Sequence, residues 1–288
     1  MLCPAIPKEM MKQMKFHKRI PVLAVATLAL LAATTGCNRL KARDQLVKGI
    51  QSYKSAQYEE AIDHFQNAVH LDPTLPMARA YLATAYMQQV VPNLDTPDNL
   101  KNAQNAIDSF QGVLKEDPTD VNAVKGIASI YFNIKKFNEA KEYQKKVLAM
   151  SPNDAQAAYT IGVIDWTEAY QHARDILAPE GLTDNGEGNV KMSKTACKTL
   201  QAANTDLVAE GLQYLLKAVA INPNYDDAMA YLNLTYRRKA DLECGDETAR
   251  AADVAEAVKW FDKAMGTRKM NEEKKNKPGA AKTDGQSS

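Results

Sequence analysis

Four short phrases, each placed where a predicted helix ends, recur along the chain: HLDPT (70–74), KEDPT (115–119), AMSPN (149–153) and AINPN (220–224). Their prolines stand at 73, 118, 152 and 223. The second and third prolines are 34 residues apart. The first and second are 45 apart, which is 34 plus 11, and the third and fourth are 71 apart, which is 34 plus 37. A fixed period near 34 residues is typical of stacked helical pairs.

The third repeat shows the helical spacing most clearly. Its first helix carries apolar or small residues at i, i+3, i+4 and i+7, which form one face of a helix: Val124, Ile127, Ala128 and Tyr131. Its second helix carries Ala140, Val147 and Leu148. Pro152 follows, and because proline cannot continue a helix, it marks the end of the repeat.

Small residues recur at two positions where paired helices approach closely: Gly49, Ala83, Ala128 and Gly162 in the first helices, and Ala61, Ala106, Ala140, Gly211 and Ala257 in the second. The stretch YEEAIDHFQNAVHLDP (58–73) is very similar to the second helix of a tetratricopeptide repeat (TPR). The chain therefore resembles the TPR family over roughly 42–268. The resemblance implies an all-α fold, a right-handed superhelical solenoid of about five helix-turn-helix repeats.

The predicted repeats cover about 42–75, 76–120, 121–154, 155–225 and 226–268. Repeats 2, 4 and 5 contain insertions in the turn between their two helices: around VVPNLDTPDN (90–99), over 171–205 and around ECGDET (243–248). Equivalent turns of a solenoid lie along one edge, so we expect the insertions on a single rim. The solenoid is expected over 42–270. The tail 271–288 has no apolar stripe and is expected to be disordered.

The N-terminus has the features of a secretion signal. Lys15, Lys18 and Arg19 precede an uncharged run over 20–33, which is shorter than the roughly 20 apolar residues of a membrane-spanning helix. The sequence TTGC (34–37) resembles the lipobox of bacterial lipoproteins, in which a cysteine carries lipid. We expect removal of 1–36, lipidation of Cys37 and a tether over 37–41. The alternative is ordinary cleavage, which leaves Cys37 as a plain thiol.

Charge argues against nucleic-acid binding. The chain has 36 basic and 35 acidic residues, of which five and one respectively lie in the first 36 residues, so the remainder has a net charge of −3. Nucleic-acid surfaces need a concentrated positive field. Low aromatic content (7%) and abundant alanine favour closely packed helices.

Of the four cysteines, Cys3 lies in the expected leader and Cys37 is the expected lipidation site, so two remain as a pair after secretion. Cys197 and Cys244 lie in the insertions of neighbouring repeats, on the same expected rim, so a disulfide would attach the fourth insertion to the fifth repeat. The alternative is two separate thiols.

No residue pattern predicts catalysis, a metal or a cofactor. His64 and His70 are six residues apart and do not share a helical face, and no glycine loop suited to phosphate is present. Instead, TPR proteins bind partners with their first helices, and large side chains recur there. We expect a groove for a protein or peptide formed by Tyr53, Met87, Lys125, Phe132, Asn133, Trp166, Arg237 and Arg238. The alternative is that the aromatic residues pack against the next repeat.

The sequence thus predicts a lipid-anchored scaffold on the periplasmic face of the bacterial outer membrane, with a role in assembling an outer-membrane complex. A soluble periplasmic or secreted form is the alternative location. An adaptor that regulates cell-wall enzymes is a second hypothesis, and an enzyme with its site in 171–205 is a third.

Overall fold

The computed structural model describes residues 38–75, 77–183, 185–189 and 191–276. The expected leader over 1–36, the expected lipidation site Cys37 and residues 277–288 lie outside these ranges. Ten α-helices and one 3-10 turn make up the described part, which contains no β-strand. None of its helices combines the length and the apolar character needed to cross a lipid bilayer.

The helices occur in five consecutive pairs. The first three pairs are α1 (38–54) with α2 (Tyr58–Leu71), α3 (Ala78–Gln88) with α4 (Pro97–Glu116), and α5 (Val121–Asn133) with α6 (Phe137–Met150). The last two are α7 (Ala155–Leu177) with α8 (Lys194–Ile221), and α9 (Asp226–Ala240) with α10 (Glu247–Asn276). A 3-10 turn, Ala178–Glu180, follows α7.

The chain divides into two compact bodies, an N-terminal body through Glu116 and a C-terminal body from Asp117. In the N-terminal body, α3 packs against both α2 and α4. Phe65 of α2 is fully buried there and stacks on Tyr81 of α3, with ring centroids 5.5 Å apart. In the C-terminal body, α7, α8 and α9 pack against one another and α10 packs on α9.

The four proline phrases form the turns that separate the repeats, as the period predicts. α2, α4, α6 and α8 each end two residues before the proline of their phrase. Aspartates in two of these turns then begin the next helix. Asp120 accepts a hydrogen bond from the Ala123 N–H at 3.0 Å, and Asp154 accepts one from the Ala157 N–H at 2.8 Å. Such N-caps satisfy backbone donors that have no partner within the helix.

Glycine allows the closest approach between α7 and α8. A Cβ atom at Gly162 would lie 2.9 Å from Leu215 Cδ2 and 3.1 Å from the Gly211 carbonyl oxygen, distances that a real side chain does not tolerate. Gly49 has the same role in the N-terminal body, where Phe65 packs directly over it. The small residues at this recurring position of the first helices, Gly49 and Gly162, are therefore needed for close helix contact.

The insertions mainly lengthen helices. In repeat 4 only 178–193 forms the connection, while most of 171–205 belongs to α7 and α8, which have 23 and 28 residues. Ala169, Ala173 and Leu177 of α7 pack against Leu200 and Val208 of α8. Because this second apolar core forms between the added turns, the residues extend the hairpin as helix.

Two boundaries differ from the prediction. Residues 38–41, expected as a tether, belong to α1. Residues 271–276, expected as part of a disordered tail, form the last turns of α10. Asn271 donates to the Asn224 carbonyl oxygen at 3.0 Å, and Lys274 and Lys275 lie in the last turn, where positive charge is favourable. These contacts compensate for the missing apolar stripe.

Candidate binding groove

Four helices of the C-terminal body line a cavity of about 420 Å³, which we call the aromatic groove. Three of them are the first helices of their repeats, the helices that the sequence assigned to partner binding: α5 (Lys125, Ser129, Phe132), α7 (Tyr159, Thr160, Val163) and α9 (Tyr231). The fourth is α6, a second helix, which contributes Gln144.

Two of the groove's rings belong to tyrosines, Tyr159 and Tyr231, and Tyr225 packs beside them. The Tyr159 ring lies 4.9 Å from the Tyr225 ring and 5.6 Å from the Tyr231 ring, centroid to centroid. Burial raises the pKa of Tyr159 and Tyr231 above their ordinary value, and burial with the nearby Asp227 charge raises the pKa of Tyr225 to about 12. All three phenols are therefore neutral at physiological pH, and Tyr159 and Tyr231 line the cavity.

An ion pair lies at the edge of the aromatic groove. Lys125 Nζ is 2.5 Å from Asp154 Oδ2, and the lysine side chain is 45% exposed whereas the aspartate is 8% exposed. Burial alone would raise the pKa of Asp154, but the hydrogen bonds from Lys125 and from the Ala157 N–H outweigh burial and lower it. Asp154 thus stays ionised. Because Asp154 also caps α7, its carboxylate has a fixed position from which it holds Lys125.

A second polar cluster lies behind this face, between α6, α7 and α8. Lys141 Nζ contacts Asp165 Oδ1 at 2.5 Å and Glu210 Oε2 at 2.8 Å, and Lys145 reaches the other oxygen of Glu210 at 2.6 Å. Asp165 is fully buried, and burial raises its pKa to about 7 despite the contact with Lys141. Lys141 of the third repeat and Asp165 of the fourth thus form a buried polar contact between neighbouring repeats.

The predicted groove residues separate into several environments. Lys125 and Phe132 line the aromatic groove, and Asn133 lies next to Phe132 at the end of α5. Trp166 packs edge-to-face on Tyr231 of the next repeat, with centroids 5.3 Å apart. For this residue the structure therefore agrees with the alternative, in which the aromatic side chain packs against the next repeat. Tyr53 and Met87 lie in the N-terminal body, where Gln88 donates a hydrogen bond to Tyr53 Oη at 3.1 Å.

The structure does not place Arg237 and Arg238 in the aromatic groove, where the sequence had predicted them. Arg238 is only 3% exposed, lies 2.9 Å from Asp241 and stands over the Tyr170 ring, so it belongs to the core. Arg237 donates to the Gly186 carbonyl oxygen and holds the connection between α7 and α8. Both side chains are bound inside the molecule.

The sequence analysis missed two tyrosines that line the groove, Tyr159 and Tyr231. Tyr159 occupies the same repeat position as Lys125, the fifth residue of its helix, so the alignment of the repeats is the signal that could have found it. Among the described residues, no group of three or more His, Cys, Asp or Glu side chains could hold a metal ion.

Cys197 and Cys244 are joined by a disulfide, with their Cα atoms 5.6 Å apart. Near it, Gln201 Nε2 donates to the Leu242 carbonyl oxygen at 2.6 Å. Together these contacts attach the start of α8 to the connection between α9 and α10. The fourth insertion is thus fixed to the fifth repeat.

Comparison with known proteins supports the fold. Residues 100–163 match the family model described as tetratricopeptide repeat. The crystal structure of a MamA protein aligns with 84% of this chain and 97% of its own, at 18% identity and a TM-score of 0.53. MamA 41-end from Desulfovibrio magneticus RS-1 aligns with 80% of this chain and 96% of its own, at 18% identity and the same TM-score. No curated protein sequence matches the chain.

The fold is therefore that of an all-α tetratricopeptide repeat protein, as the sequence predicted. The matched segment runs from the beginning of α4 into α7 and includes both helices of the third repeat, which has no insertion.

Proposed function

We propose that the protein is a scaffold that holds another protein by a short peptide segment or helix bound in the aromatic groove. The observation that carries this proposal is the set of half-buried rings, Phe132, Tyr159 and Tyr231, around a cavity of about 420 Å³. Aromatic side chains are enriched in the energetically dominant parts of protein interfaces, because they bury much area at little cost in conformational entropy.

Polar groups around the rings would orient the bound segment. Ser129 and Gln156 are exposed at the cavity, and Tyr225 Oη donates to Gln156 Oε1 at 2.5 Å. Lys125 is exposed, and its pairing with Asp154 leaves further ammonium N–H donors for an acceptor on the bound segment. A segment with apolar side chains and one hydrogen-bonding or acidic group near Lys125 fits this arrangement.

We further propose that the mature protein begins at Cys37, carries lipid there and acts on the periplasmic face of the bacterial outer membrane. The support is the basic start, the short apolar run and the TTGC sequence (34–37). A lipid anchor would confine the aromatic groove to the membrane surface, where an outer-membrane complex is assembled.

Site-specific photo-crosslinking tests the groove. A photoreactive amino acid at Ser129, which lines the cavity, should crosslink a partner in the native envelope, whereas one at exposed Glu142 on α6 should not. Tyr159→Ala with Tyr231→Ala should reduce the Ser129 crosslink at least tenfold, which corresponds to about 1.4 kcal/mol. Tyr143→Ala, a half-buried tyrosine outside the cavity, is the matched control. Equal crosslinking at Ser129 and Glu142 would refute the groove.

Metabolic labelling with a clickable fatty acid tests the anchor. We expect label on the protein and none on Cys37→Ala; an unlabelled parent protein would support ordinary cleavage instead. The identity of the crosslinked partner then separates the functional hypotheses. Barrel-assembly or pilus-assembly proteins support assembly of an outer-membrane complex, and wall-synthesis enzymes support the adaptor.

A further inference from the structure

The last helix, α10, has one buried face and one exposed apolar stripe. The buried face contains Asp253, Ala257, Ala264 and Thr267 and packs on α9. The apolar stripe contains Val254, Val258, Phe261 and Met265, and the last three are 45%, 51% and 50% exposed. The buried face and the apolar stripe lie roughly 100° apart around the helix, at 3.6 residues per turn.

Other repeats of the same chain show what normally covers this stripe. Aligned through the recurring small residue, Phe261 corresponds to Phe65 of α2 and to Leu215 of α8, both of which are fully buried. Phe65 is covered by Tyr81, Leu82 and Ala85 of α3, the first helix of the next repeat. The exposed stripe of α10 is therefore the surface on which another helix would pack.

Two segments of the chain itself do not suit this surface. Residues 277–288 contain no large apolar side chain that could fill it. The outer face of α1 presents Leu40 and Val47, but Asp44, Lys48 and Gln51 lie among them, and these polar groups would be buried without partners against the stripe.

The stripe is complementary to itself in an antiparallel arrangement. Its spacing of four, three and four residues is that of a coiled-coil seam. When two copies of α10 run antiparallel, Phe261 of one faces Val258 of the other and Met265 faces Val254. Large side chains thus meet smaller ones, and exposed Ala251 and Ala255 beside the seam allow close approach.

Charge does not oppose this arrangement. Asp253 pairs with Lys239, and Arg268 pairs with Asp226 and Asp227, inside the same molecule. The other charged residues over 251–268, Glu256, Lys259, Asp262 and Lys263, have no net charge. We propose that this stripe binds a second copy of the protein through an antiparallel, two-fold symmetric α10–α10 contact.

The seam is only about two heptads long, so the dimer should be weak and depend on concentration. Sedimentation velocity on the mature protein with Cys37→Ser, over about 1–200 µM, should show a monomer–dimer equilibrium. Phe261→Asp should weaken dimerisation at least tenfold. Val47→Asp, which changes an equally exposed apolar residue on α1 (54%), should leave it unchanged. Circular dichroism checks that both variants stay folded.

Cysteine crosslinking tests the register. A mixture of Val254→Cys and Met265→Cys proteins should form mixed dimers faster than either forms dimers with itself. A monomer at every concentration, or a dimer insensitive to Phe261→Asp, would overturn the proposal. Preferential self-crosslinking of each variant would overturn the antiparallel arrangement.

Discussion

Lys141 and Asp165 form a 2.5 Å ion pair that joins the second helix of one repeat to the first helix of the next. The aspartate is fully buried and the lysine is 14% exposed. Glu210 of α8 contacts the same ammonium group, so a single lysine connects three helices. A buried carboxylate that loses such a partner is strongly destabilising.

Lys141→Met should therefore destabilise the C-terminal body, and more so at higher pH. Burial raises the pKa of Asp165 to about 7 in the folded state, above its value of 3.8 when unfolded. Because Lys141 lowers this pKa, the variant holds the Asp165 proton still more tightly and keeps the side chain neutral at pH 5.5. As the pH rises, retaining that proton or burying an uncompensated charge costs the variant up to about 3–5 kcal/mol. Chemical denaturation at pH 5.5 and pH 8.5 measures the difference.

Asp165→Asn tests the same contact by removing the titrating carboxyl group itself. Because the folded protein binds this proton more tightly than the unfolded chain, Asp165 reduces stability as the pH rises from about 4 to 7. The asparagine variant should lack that part of the slope. Lys145→Met, which removes only the exposed contact with Glu210, should keep it; identical slopes for the parent and Asp165→Asn proteins would contradict the assignment.

Reduction of the disulfide should loosen one region of the C-terminal body. Cys197 and Cys244 are 47 residues apart, and a loop of this length corresponds to about 4 kcal/mol in the chain-entropy model. Cys197→Ser with Cys244→Ser should lower the free energy of unfolding by about 2–4 kcal/mol. Limited proteolysis should show faster cleavage within 181–193, while cleavage within α5 and α6 stays unchanged.

Gly162→Ala should destabilise the contact between α7 and α8. The added methyl group would collide with Leu215 and with the Gly211 backbone, which cannot move aside as a flexible side chain can. We expect a loss of about 1–3 kcal/mol. Gly266→Ala in α10 is the control, because its Cβ would meet no atom within 4 Å; alanine should stabilise that helix by about 0.5–1 kcal/mol. Similar effects of both changes would contradict the packing explanation.

Asn99→Ala should release the connection between α3 and α4. The buried Asn99 amide accepts from the Val91 N–H at 2.7 Å and donates to the carbonyl oxygens of Val91 and Leu94 at 3.0 and 2.7 Å. Losing these bonds should cost about 2–4 kcal/mol, since buried polar atoms of the backbone remain unpaired. Hydrogen exchange at the Val91 amide should accelerate. The exposed Gln104→Ala change should leave that rate unaltered.

Local signals allowed the helix pairs to be predicted from the sequence. The prolines and small residues act within a few positions of where they stand, so the ends of α2, α4, α6 and α8 followed directly. The lengths of α7 and α8 did not, because their added turns are stabilised by each other: Asn204 of α8 donates to the Ala169 carbonyl oxygen of α7 at 2.8 Å. Such contacts join residues 35 positions apart.

The groove, too, could be predicted only where local helical geometry decides the direction of a side chain. Lys125 and Phe132 face the cavity because helical geometry alone directs them there. Arg238 occupies an equally suitable position on its helix, yet Asp241 in the following connection and Tyr170 on a neighbouring helix draw it inward. A one-dimensional repeat pattern does not contain these two partners.

Because α7 and α8 are lengthened together, the length of their hairpin sets how far its end reaches. Removing two turns from each helix, about seven residues, would shorten it by roughly 10 Å while returning the remaining side chains to nearly the same faces. The base at Gly162 and Gly211 could therefore stay intact in a shortened hairpin. Cys197 would then no longer reach Cys244, so the present length is the one at which the far end meets the fifth repeat.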